Sequence, residues 1–235
     1  MRKRIREDMF APKHSWDNEW QEIPGPEAIL IGVVQNPKLR GLQGKTLTPV
    51  AELWMKDPPA KDRPEVDAID TLFDLLIEDD AFTEVAVFAM SEPDVALALQ
   101  QPWVSVDNDS SGTSPDGILG MDHPHPRAYG TFPRVLRKYV REECKLTLED
   151  AIRKMSSLPA QRMRLTDRGV LKTGMWADVV VFDPEKIRDV ATFDLPNQLS
   201  VGMQFVLVNG VPVIEDGKMT GLLPGKVLRG PGYKP

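Results

Sequence analysis

Cysteine and histidine are scarce in this sequence of 235 residues, which contains one cysteine and three histidines. The single cysteine, Cys144, excludes a disulfide within the chain and fits a reducing compartment, so we predict a cytoplasmic location. Cys144 lies in the charged stretch YVREECKLT without a second cysteine, which favours a structural thiol over a zinc ligand or a nucleophile. His14 stands alone in a polar stretch and is expected to be solvated.

The sequence also lacks an excess of positive charge, and it has no long apolar run. The chain has 29 lysine and arginine residues against 35 aspartate and glutamate residues, a net charge of -6, which argues against a nucleic-acid partner. No run reaches the roughly 18–20 apolar residues that a membrane-spanning helix needs. The opening MRKRIREDMF is basic, but no apolar core follows it, so we do not expect a secretory leader.

The first two thirds of the sequence alternate between strand and helix patterns. Three short apolar stretches predict strands of a buried parallel sheet, at residues 28–34, 83–90 and 103–109. One helix between them is predicted by apolar residues that share a helical face: Ile69, Leu72, Phe73, Leu76 and Ile77. This alternation is typical of an α/β fold.

Capping residues predict where several helices begin. Thr48 precedes Pro49 and is expected to cap a helix whose first residue is that proline. Ser91 with Asp94 is expected to open a helix that ends before Pro102. Further along, RVLRKYVREE predicts a helix, and Thr147 with Asp150 caps the next one.

The sequence changes character near residue 166. The stretches WADVVVFD and QFVLVNGVPVIEDG predict strands, and Asn209-Gly210 predicts a two-residue hairpin turn because both residues tolerate positive φ angles. We therefore predict a boundary there, with an α/β region at residues 1–165 and a small β domain at 166–235.

The end of the third predicted strand is the first candidate site. In parallel α/β sheets, reactive groups gather at the carboxyl ends of strands, and here the sequence is DNDSSGTSPDG. Asp107 and Asp109 would face the same side of a continuing strand. A carboxylate there binds a metal or transfers a proton, or else closes the strand in an Asx-turn, and these residues leave both interpretations open.

The second candidate site is the stretch MDHPHPRAYGTFPR. His123 and His125 make a poor metal-binding pair, because Pro124 and Pro126 favour polyproline II geometry, which sends residues two apart in different directions. The stretch instead predicts a rigid loop that carries four side chains towards a pocket: His125, Arg127, Tyr129 and Arg134. Each arginine either clamps a substrate carboxylate or forms a structural salt bridge.

Much of the sequence resembles a known family. The segments HPRAYGTFPRVLRKYVREE, LTLEDAIRKMSSLPAQRMRLTDRGVLKTGMWADVVVFDP and VLVNGVPVIEDGKMTGLLPGKVL resemble the C-terminal half of the N-acyl-D-amino-acid deacylases, or D-aminoacylases. These enzymes belong to the metal-dependent amidohydrolase superfamily. The resemblance implies an α/β fold, with the C-terminal part of a (β/α)8 amidohydrolase barrel followed by a small β-sandwich-type domain.

The resemblance also implies a reaction and roles for residues. It implies hydrolysis of the amide bond of small N-acyl-D-amino acids, with zinc as the cofactor and Asp109 as the proton-transferring carboxylate. Asp109 is also the one family metal ligand identified in this chain, with Asp107 as the alternative for the family aspartate. His125, Arg127, Tyr129 and Arg134 are expected to bind the substrate.

The remaining family metal ligands are not found in this sequence. The family takes them from an H-x-H on the first barrel strand, a bridging residue soon after, and later histidines, so we expect a truncated or split enzyme whose chain alone holds zinc poorly. Its partner would be a separately encoded N-terminal half or a second copy, because unpaired strand edges recruit other chains. A non-catalytic remnant and a different amidohydrolase, such as a cyclic-amide hydrolase, are the alternatives.

Overall fold

A computed structural model describes residues 1–11, 17–56, 67–230 and 232–234. The chain forms two compact units, each assembled from separate stretches of sequence. Unit 1 comprises residues 1–91, 113–125 and 193–196, and unit 2 comprises residues 92–112, 126–192 and 197–235. His14, which is predicted to be solvated, lies outside the described residues.

The described residues of unit 1 form three α-helices and two short strands. The helices are α1 (Arg2–Phe10), α2 (Leu47–Lys56) and α3 (Ala68–Glu78), and the strands are β1 (Ile29–Ile31) and β2 (Val85–Val87). Short 3-10 helices lie at Glu19–Gln21, Pro26–Ala28, Pro37–Leu42 and Gly117–Met121. The buried core of this unit combines residues from β1, α2, α3 and the intervening turns: Ile31, Val34, Leu39, Leu42, Val50, Trp54 and Leu75.

The predicted parallel sheet is wrong for these two strands. β1 and β2 pair antiparallel, with Ile29 opposite Val87 and Ile31 opposite Val85. β1 is fully buried, as its apolar sequence predicts, whereas Val85 and Val87 on β2 are exposed. An apolar run does not specify the direction of the neighbouring strand, and in β2 it does not ensure burial either, which explains the error.

Helix α3 confirms the predicted helix and corrects its buried face. Asp67 caps it, because its Oδ1 accepts the backbone N–H groups of Ile69 and Asp70 at 3.0 and 2.9 Å. Leu75 is fully buried whereas Ile77 is exposed. Helix α2 begins at Leu47, two residues before the predicted start at Pro49. Thr48 therefore lies inside the helix, and the prediction that it caps the helix is wrong.

Unit 2 contains the remaining helices and a four-stranded sheet. The helices are α4 (Glu92–Gln100), α5 (Arg127–Arg134), a π-helix (Val135–Glu142), α6 (Leu148–Met155) and α7 (Ser157–Arg162). The strands β3 (Val179–Phe182), β4 (Met203–Val208), β5 (Val211–Glu215) and β6 (Lys218–Met219) form an antiparallel sheet in that order. Among the described helices of both units, none is long and apolar enough to cross a membrane.

The third predicted strand, at 103–109, does not form. Residues 104–114 have no regular secondary structure. The backbone N–H of Val106 donates to the Lys154 carbonyl at 3.2 Å, and the buried Lys154 Nζ donates to the Val104 carbonyl at 3.2 Å and to the Gln101 carbonyl. Polar backbone groups that a strand would share with a neighbouring strand are therefore bound to helix α6.

The predicted β-hairpin is confirmed. β4 and β5 meet at Val208 and Val211, and the turn residues Asn209 and Gly210 have φ angles of 52° and 83°. Helix α6 also begins as predicted, since the Thr147 hydroxyl accepts the Asp150 N–H at 3.2 Å. The predicted boundary near residue 166 falls inside unit 2. The partial barrel at 1–165 and the small β domain at 166–235 remain predictions.

We expect Gly210→Ala to destabilise unit 2 by about 1–2 kcal/mol, because a Cβ strains the left-handed conformation. Steric overlap does not contribute to the effect, since the new Cβ would lie 3.9 Å from the Ala177 Cβ. Gly225→Ala is the matched control, because that site has an ordinary φ and nothing within 4 Å of its Cβ position. Urea denaturation measures both variants, and equal midpoints would contradict the strain argument.

Candidate functional site

Asp109 and Arg127 form an ion pair in unit 2. Arg127 donates from Nη2 to Asp109 Oδ2 at 2.7 Å. The Asp109 side chain is 82% exposed, and its backbone has a φ of 44° in the irregular stretch before α5. An exposed pair of this kind contributes less than about 1 kcal/mol to stability. The contact therefore fixes the two groups near each other without burying either charge.

Asp107 lies two residues earlier in the same irregular stretch and is exposed. The expectation that Asp107 and Asp109 face one side depended on a strand, and no strand forms there. Their relative orientation thus cannot follow from strand periodicity, and the choice between them for the family aspartate remains a prediction.

Arg127, Tyr129 and Arg134 lie on helix α5 rather than on the predicted loop. The helix continues directly into the π-helix, and Pro133 lies at the end of α5. Proline cannot donate to the carbonyl four residues earlier, which belongs to Tyr129. That carbonyl accepts the Ser200 hydroxyl at 2.7 Å instead. A distant serine thus supplies the donor that the helix lacks and fixes the backbone at Tyr129.

Arg134 is engaged in an ion-pair network that the sequence did not reveal. It donates to Glu92 at 3.1 Å and to Asp189 at 3.5 Å. Arg137, one turn further along, donates to Asp189 at 2.7 Å and to Glu142 at 2.7 Å. Of the two roles left open for the arginines, these contacts favour the structural salt bridge for Arg134.

The network shifts the pKa values of its members. Burial alone would raise the pKa of Asp189, but the hydrogen bonds and charge of Arg137 outweigh burial and lower it. The pKa of Glu92 is lowered, first by its contact with Lys138 and then by Tyr139. Burial, with the hydrogen bond to Glu92, raises the pKa of Tyr139 to about 12. Both carboxylates are therefore ionised at neutral pH, and the tyrosine is protonated.

His123 and His125 lie in unit 1. The His123 Nε2 is 2.6 Å from the Phe193 carbonyl oxygen, and its ring packs so closely on Gly44 that a Cβ there would lie 2.8 Å from Cε1. The His125 ring contacts the Phe193 ring edge-on, with centroids 5.0 Å apart. Each imidazole contacts the Phe193 residue, one through its backbone and one through its ring.

The predicted site residues thus fall into two groups. Asp109, Arg127, Tyr129 and Arg134 belong to unit 2, whereas His125 belongs to unit 1. Within unit 2, the structure pairs Asp109 with Arg127 and places Arg134 with Glu92 and Asp189. The arginines at 134, 137 and 141 share helical spacing, a sequence signal for a common face of the helix but not for their partners. Arg134 and Arg137 bind Asp189, whereas Arg141 donates to the carbonyls of Pro184 and Ile187.

A zinc site requires three or four ligands from cysteine, histidine or carboxylate side chains. Over residues 1–11, 17–56, 67–230 and 232–234, no three such side chains are grouped where they could hold a metal ion. The Asp109 carboxylate is paired with Arg127, and the His123 ring is bound to Phe193. The donors present in the described part of the chain do not fit the zinc site that the resemblance implies.

Residues 105–214 match the model of the amidohydrolase family. The chain is 45% identical over 142 residues to an N-acyl-D-glutamate deacylase from Alcaligenes xylosoxydans xylosoxydans, covering 60% of this chain and 28% of that protein. A D-aminoacylase from the same organism is 42% identical over 141 residues, covering 60% and 28%. The chain therefore spans less than a third of these relatives.

Among solved structures, the chain is similar to enzymes of the same type as these relatives. The N-acyl-D-glutamate deacylase of Bordetella bronchiseptica, complexed with zinc and a phosphonate that mimics the tetrahedral intermediate, matches with a TM-score of 0.66 and 34% identity. The match covers 85% of this chain and 38% of that one. A D-aminoacylase structure matches with a TM-score of 0.68 and 32% identity, covering 86% and 38%. The resemblance to N-acyl-D-amino-acid deacylases is confirmed.

We expect Asp189→Asn to lower the free energy of unfolding by about 1.5–3 kcal/mol at pH 7. Because the folded pKa of Asp189 is below the ordinary 3.8, its stabilisation is present above that pH and is lost as pH falls through the lowered value. The difference between wild type and variant should therefore shrink as the pH falls below 3.8 and through the lowered pKa. Urea denaturation at several pH values measures it.

Glu142→Gln is the matched control, because it removes the more exposed carboxylate partner of the same arginine, Arg137. Glu142→Gln should lower the free energy of unfolding by less than about 1 kcal/mol. A loss from Asp189→Asn that does not change with pH would contradict the electrostatic explanation.

We expect the 235-residue chain by itself to retain much less than one zinc ion per chain after dialysis, because its described donors form no ligand group. Elemental analysis measures the content, with His123→Gln as a comparison. One zinc per wild-type chain that His123→Gln removes would show that the His123 region forms a metal site after all.

Proposed function

We propose that this chain acts in hydrolysis of the amide bond of small N-acyl-D-amino acids, as the C-terminal part of an N-acyl-D-amino-acid deacylase. The observation that carries the proposal is identity of 42–45% to three such deacylases over 60% of the chain. The (β/α)8 barrel with a small β-sandwich-type domain belongs to this proposal as the architecture of the whole enzyme.

In this proposal, the zinc ligands other than Asp109 come from polypeptide outside these 235 residues. The chain aligns with 27–28% of the curated deacylases, and its described residues have no suitable ligand group. A separately encoded N-terminal part, or other polypeptide of the same enzyme type, would complete the site. The chain then supplies substrate-binding and proton-transferring groups.

Asp109 is the proposed proton-transferring residue. Water adds to the carbonyl carbon of the substrate amide, and the C–N bond then breaks to give a carboxylate and a free amine. A carboxylate beside the reacting atoms takes the proton from the water and delivers it to the departing nitrogen. The position of Asp109 at the surface of unit 2, unshielded by its own unit, suits a group that meets substrate.

Arg127 is the proposed group for the substrate carboxylate. Its guanidinium already binds one carboxylate, that of Asp109, at 2.7 Å. Since that pair is exposed, replacing Asp109 by the carboxylate of an N-acyl-D-amino acid costs little, and the substrate arrives next to the proton-transferring group. Tyr129 completes the proposed substrate-binding set within unit 2, while the contacts of Arg134 support a structural role. The substrate-binding role of His125, which lies in unit 1, stays a prediction.

The test reconstitutes an enzyme from two chains. The 235-residue chain is combined with the part of the Alcaligenes N-acyl-D-glutamate deacylase that lies outside the match, zinc is added, and release of free amine from N-acetyl-D-glutamate is measured. We expect Asp109→Asn to lower kcat by about 10²–10⁴, the range for a lost general acid–base group, with little change in KM.

Asp107→Asn and Asp116→Asn are the matched controls. Both replace exposed aspartates close in sequence to Asp109, and Asp116 precedes the 3-10 helix Gly117–Met121 in unit 1. Both should retain activity within about twofold of wild type, since the proposal gives the proton transfer to Asp109 and not to its alternative, Asp107. Loss of activity from one of these and not from Asp109→Asn would reassign the catalytic carboxylate. Failure of the wild-type chain, where the deacylase's own C-terminal part restores activity, would refute the proposed function.

A further inference from the structure

The turn that follows helix α4 in unit 2 is held by cationic side chains. It covers residues 101–104 and is closed by the Val104 N–H, which donates to the Gln101 carbonyl at 3.2 Å. Each of its four carbonyls also accepts from a cation of α6 or α7: Pro102 from Arg153 at 2.8 Å, Trp103 from Arg162 at 2.8 Å, Val104 from Lys154 at 3.2 Å, and Gln101 from Lys154. Hydrogen bonds with a charged donor are stronger than those between neutral groups. The two helices therefore fix the turn at every carbonyl.

Lys154 differs from the two arginines because it is buried. Its side chain is 0% exposed, whereas that of Arg153 is 37% exposed and Arg162 lies at the surface. A buried ammonium group needs acceptors for its three N–H groups. Two are the turn carbonyls, and the Asp150 carboxylate lies 3.7 Å from Nζ. A side chain of the same length without a donor would fill the space but leave both carbonyls without this hydrogen bond.

Lys154 also binds the next part of the chain through its backbone. Its carbonyl accepts the Val106 N–H at 3.2 Å. The Val106 side chain packs against the buried core of unit 2, which includes Ala151 from the same helix α6. The helix itself is anchored, because Ala151 is fully buried and Thr147 caps the first turn. One residue of a fixed helix thus holds two successive parts of the segment, through its side chain and through its main chain.

Asp109 follows this anchored segment at a short distance along the chain. It lies three residues after Val106, and three residues of extended chain span at most about 10–11 Å. A displacement of the backbone at Val106 is therefore passed on to the Asp109 carboxylate. The ion pair of Asp109 with Arg127 is exposed, and such a pair contributes little to ordering the chain. The position of Asp109 thus depends on the contacts that Lys154 makes.

We propose that Lys154 is a positioning residue for Asp109, which fixes from helix α6 the backbone that carries this carboxylate. The inference rests on the proposed function and deepens it, because it names what holds the proton-transferring group in place. Proton transfer requires the carboxylate within hydrogen-bond reach of the reacting atoms. A displacement of about 1 Å can lower the rate by about 10². Lys154 acts through the backbone of residues 101–106, and Arg153 and Arg162 hold the same turn from the surface.

The first test measures backbone order in the 235-residue chain alone. ¹⁵N relaxation gives order parameters, which are about 0.85 for rigid backbone and below about 0.6 for flexible backbone. Lys154→Met keeps an unbranched side chain of similar length but removes the donors. We expect it to lower the order parameters at 106–109 towards about 0.6 or below, while those of helix α6 stay unchanged. Gly210→Ala is the control, because it destabilises unit 2 at a turn elsewhere and should leave the values at 106–109 unchanged.

The second test measures hydrolysis in the enzyme reconstituted from two chains. Lys154→Met should lower kcat by at least about tenfold and change KM by less than about twofold, because Arg127 still binds the substrate carboxylate. In the Asp109→Asn background, Lys154→Met should lower kcat by less than about twofold further, since the group that it positions is already lost. A lysine that only stabilises the fold would lower activity equally in both backgrounds.

Arg162→Met provides a second variant if Lys154→Met does not fold. Arg162 is exposed and holds one carbonyl of the turn, that of Trp103, so its loss should lower kcat by about two- to fivefold, again only when Asp109 is present. Arg164→Met is the matched control, because this arginine is also exposed and lies two residues further along. It should leave kcat unchanged.

Two results would overturn the inference. One is that the order parameters at 106–109 stay unchanged in the folded Lys154 or Arg162 variant. The other is that the variant lowers kcat equally with and without the Asp109 carboxylate. If the wild-type chain restores no activity where the deacylase's own C-terminal part does, the proposed function fails. The order parameters then still decide whether Lys154 fixes the backbone of Asp109, so the two failures are distinguishable.

Discussion

The buried carboxylate of Asp189 is the interaction on which the organisation of unit 2 depends. Its side chain is 7% exposed and is bound by Arg137 at 2.7 Å and by Arg134 at 3.5 Å. A charge removed from water needs such partners, because an unpaired buried carboxylate is strongly destabilising. Gly130 permits the approach, since a Cβ there would lie 3.1 Å from the Asp189 Cβ. Arg134 also reaches Glu92, so the network joins three distant stretches of sequence.

Local features of the fold could be predicted from the sequence, whereas pairing between distant segments could not. The Thr147 cap and the Asn209-Gly210 turn depend on a few adjacent residues, and both form as expected. The parallel sheet and the third strand depended on partners that an apolar run does not specify. Residues 104–106 bind Lys154 of α6, and nothing in their own sequence indicates that partner.

The candidate site also has parts that the sequence predicts and parts that it does not. The sequence pointed to Asp109 and Arg127 as chemistry-bearing residues 18 positions apart, and the structure pairs them. It offered a clamp or a salt bridge for Arg134, and could not choose, because the decisive acid lies 55 residues further along. The proposed function came from resemblance in extended segments rather than from any single spacing, and the comparisons confirm that resemblance.

Helix α5 connects the ion-pair network around Asp189 with the exposed pair of Asp109 and Arg127. Arg134 at its last residue is held through Asp189 and Glu92, and the Tyr129 carbonyl is held by Ser200 where Pro133 removes the helical donor. These contacts fix the backbone that carries Arg127 at the first residue of the helix. The Arg127 guanidinium remains at the surface, where an exchange of one carboxylate for another costs little. A firmly held backbone with a solvated cation at its end fits the proposed recognition of a substrate carboxylate, because the position of the cation is set before binding while its partner is still exchangeable.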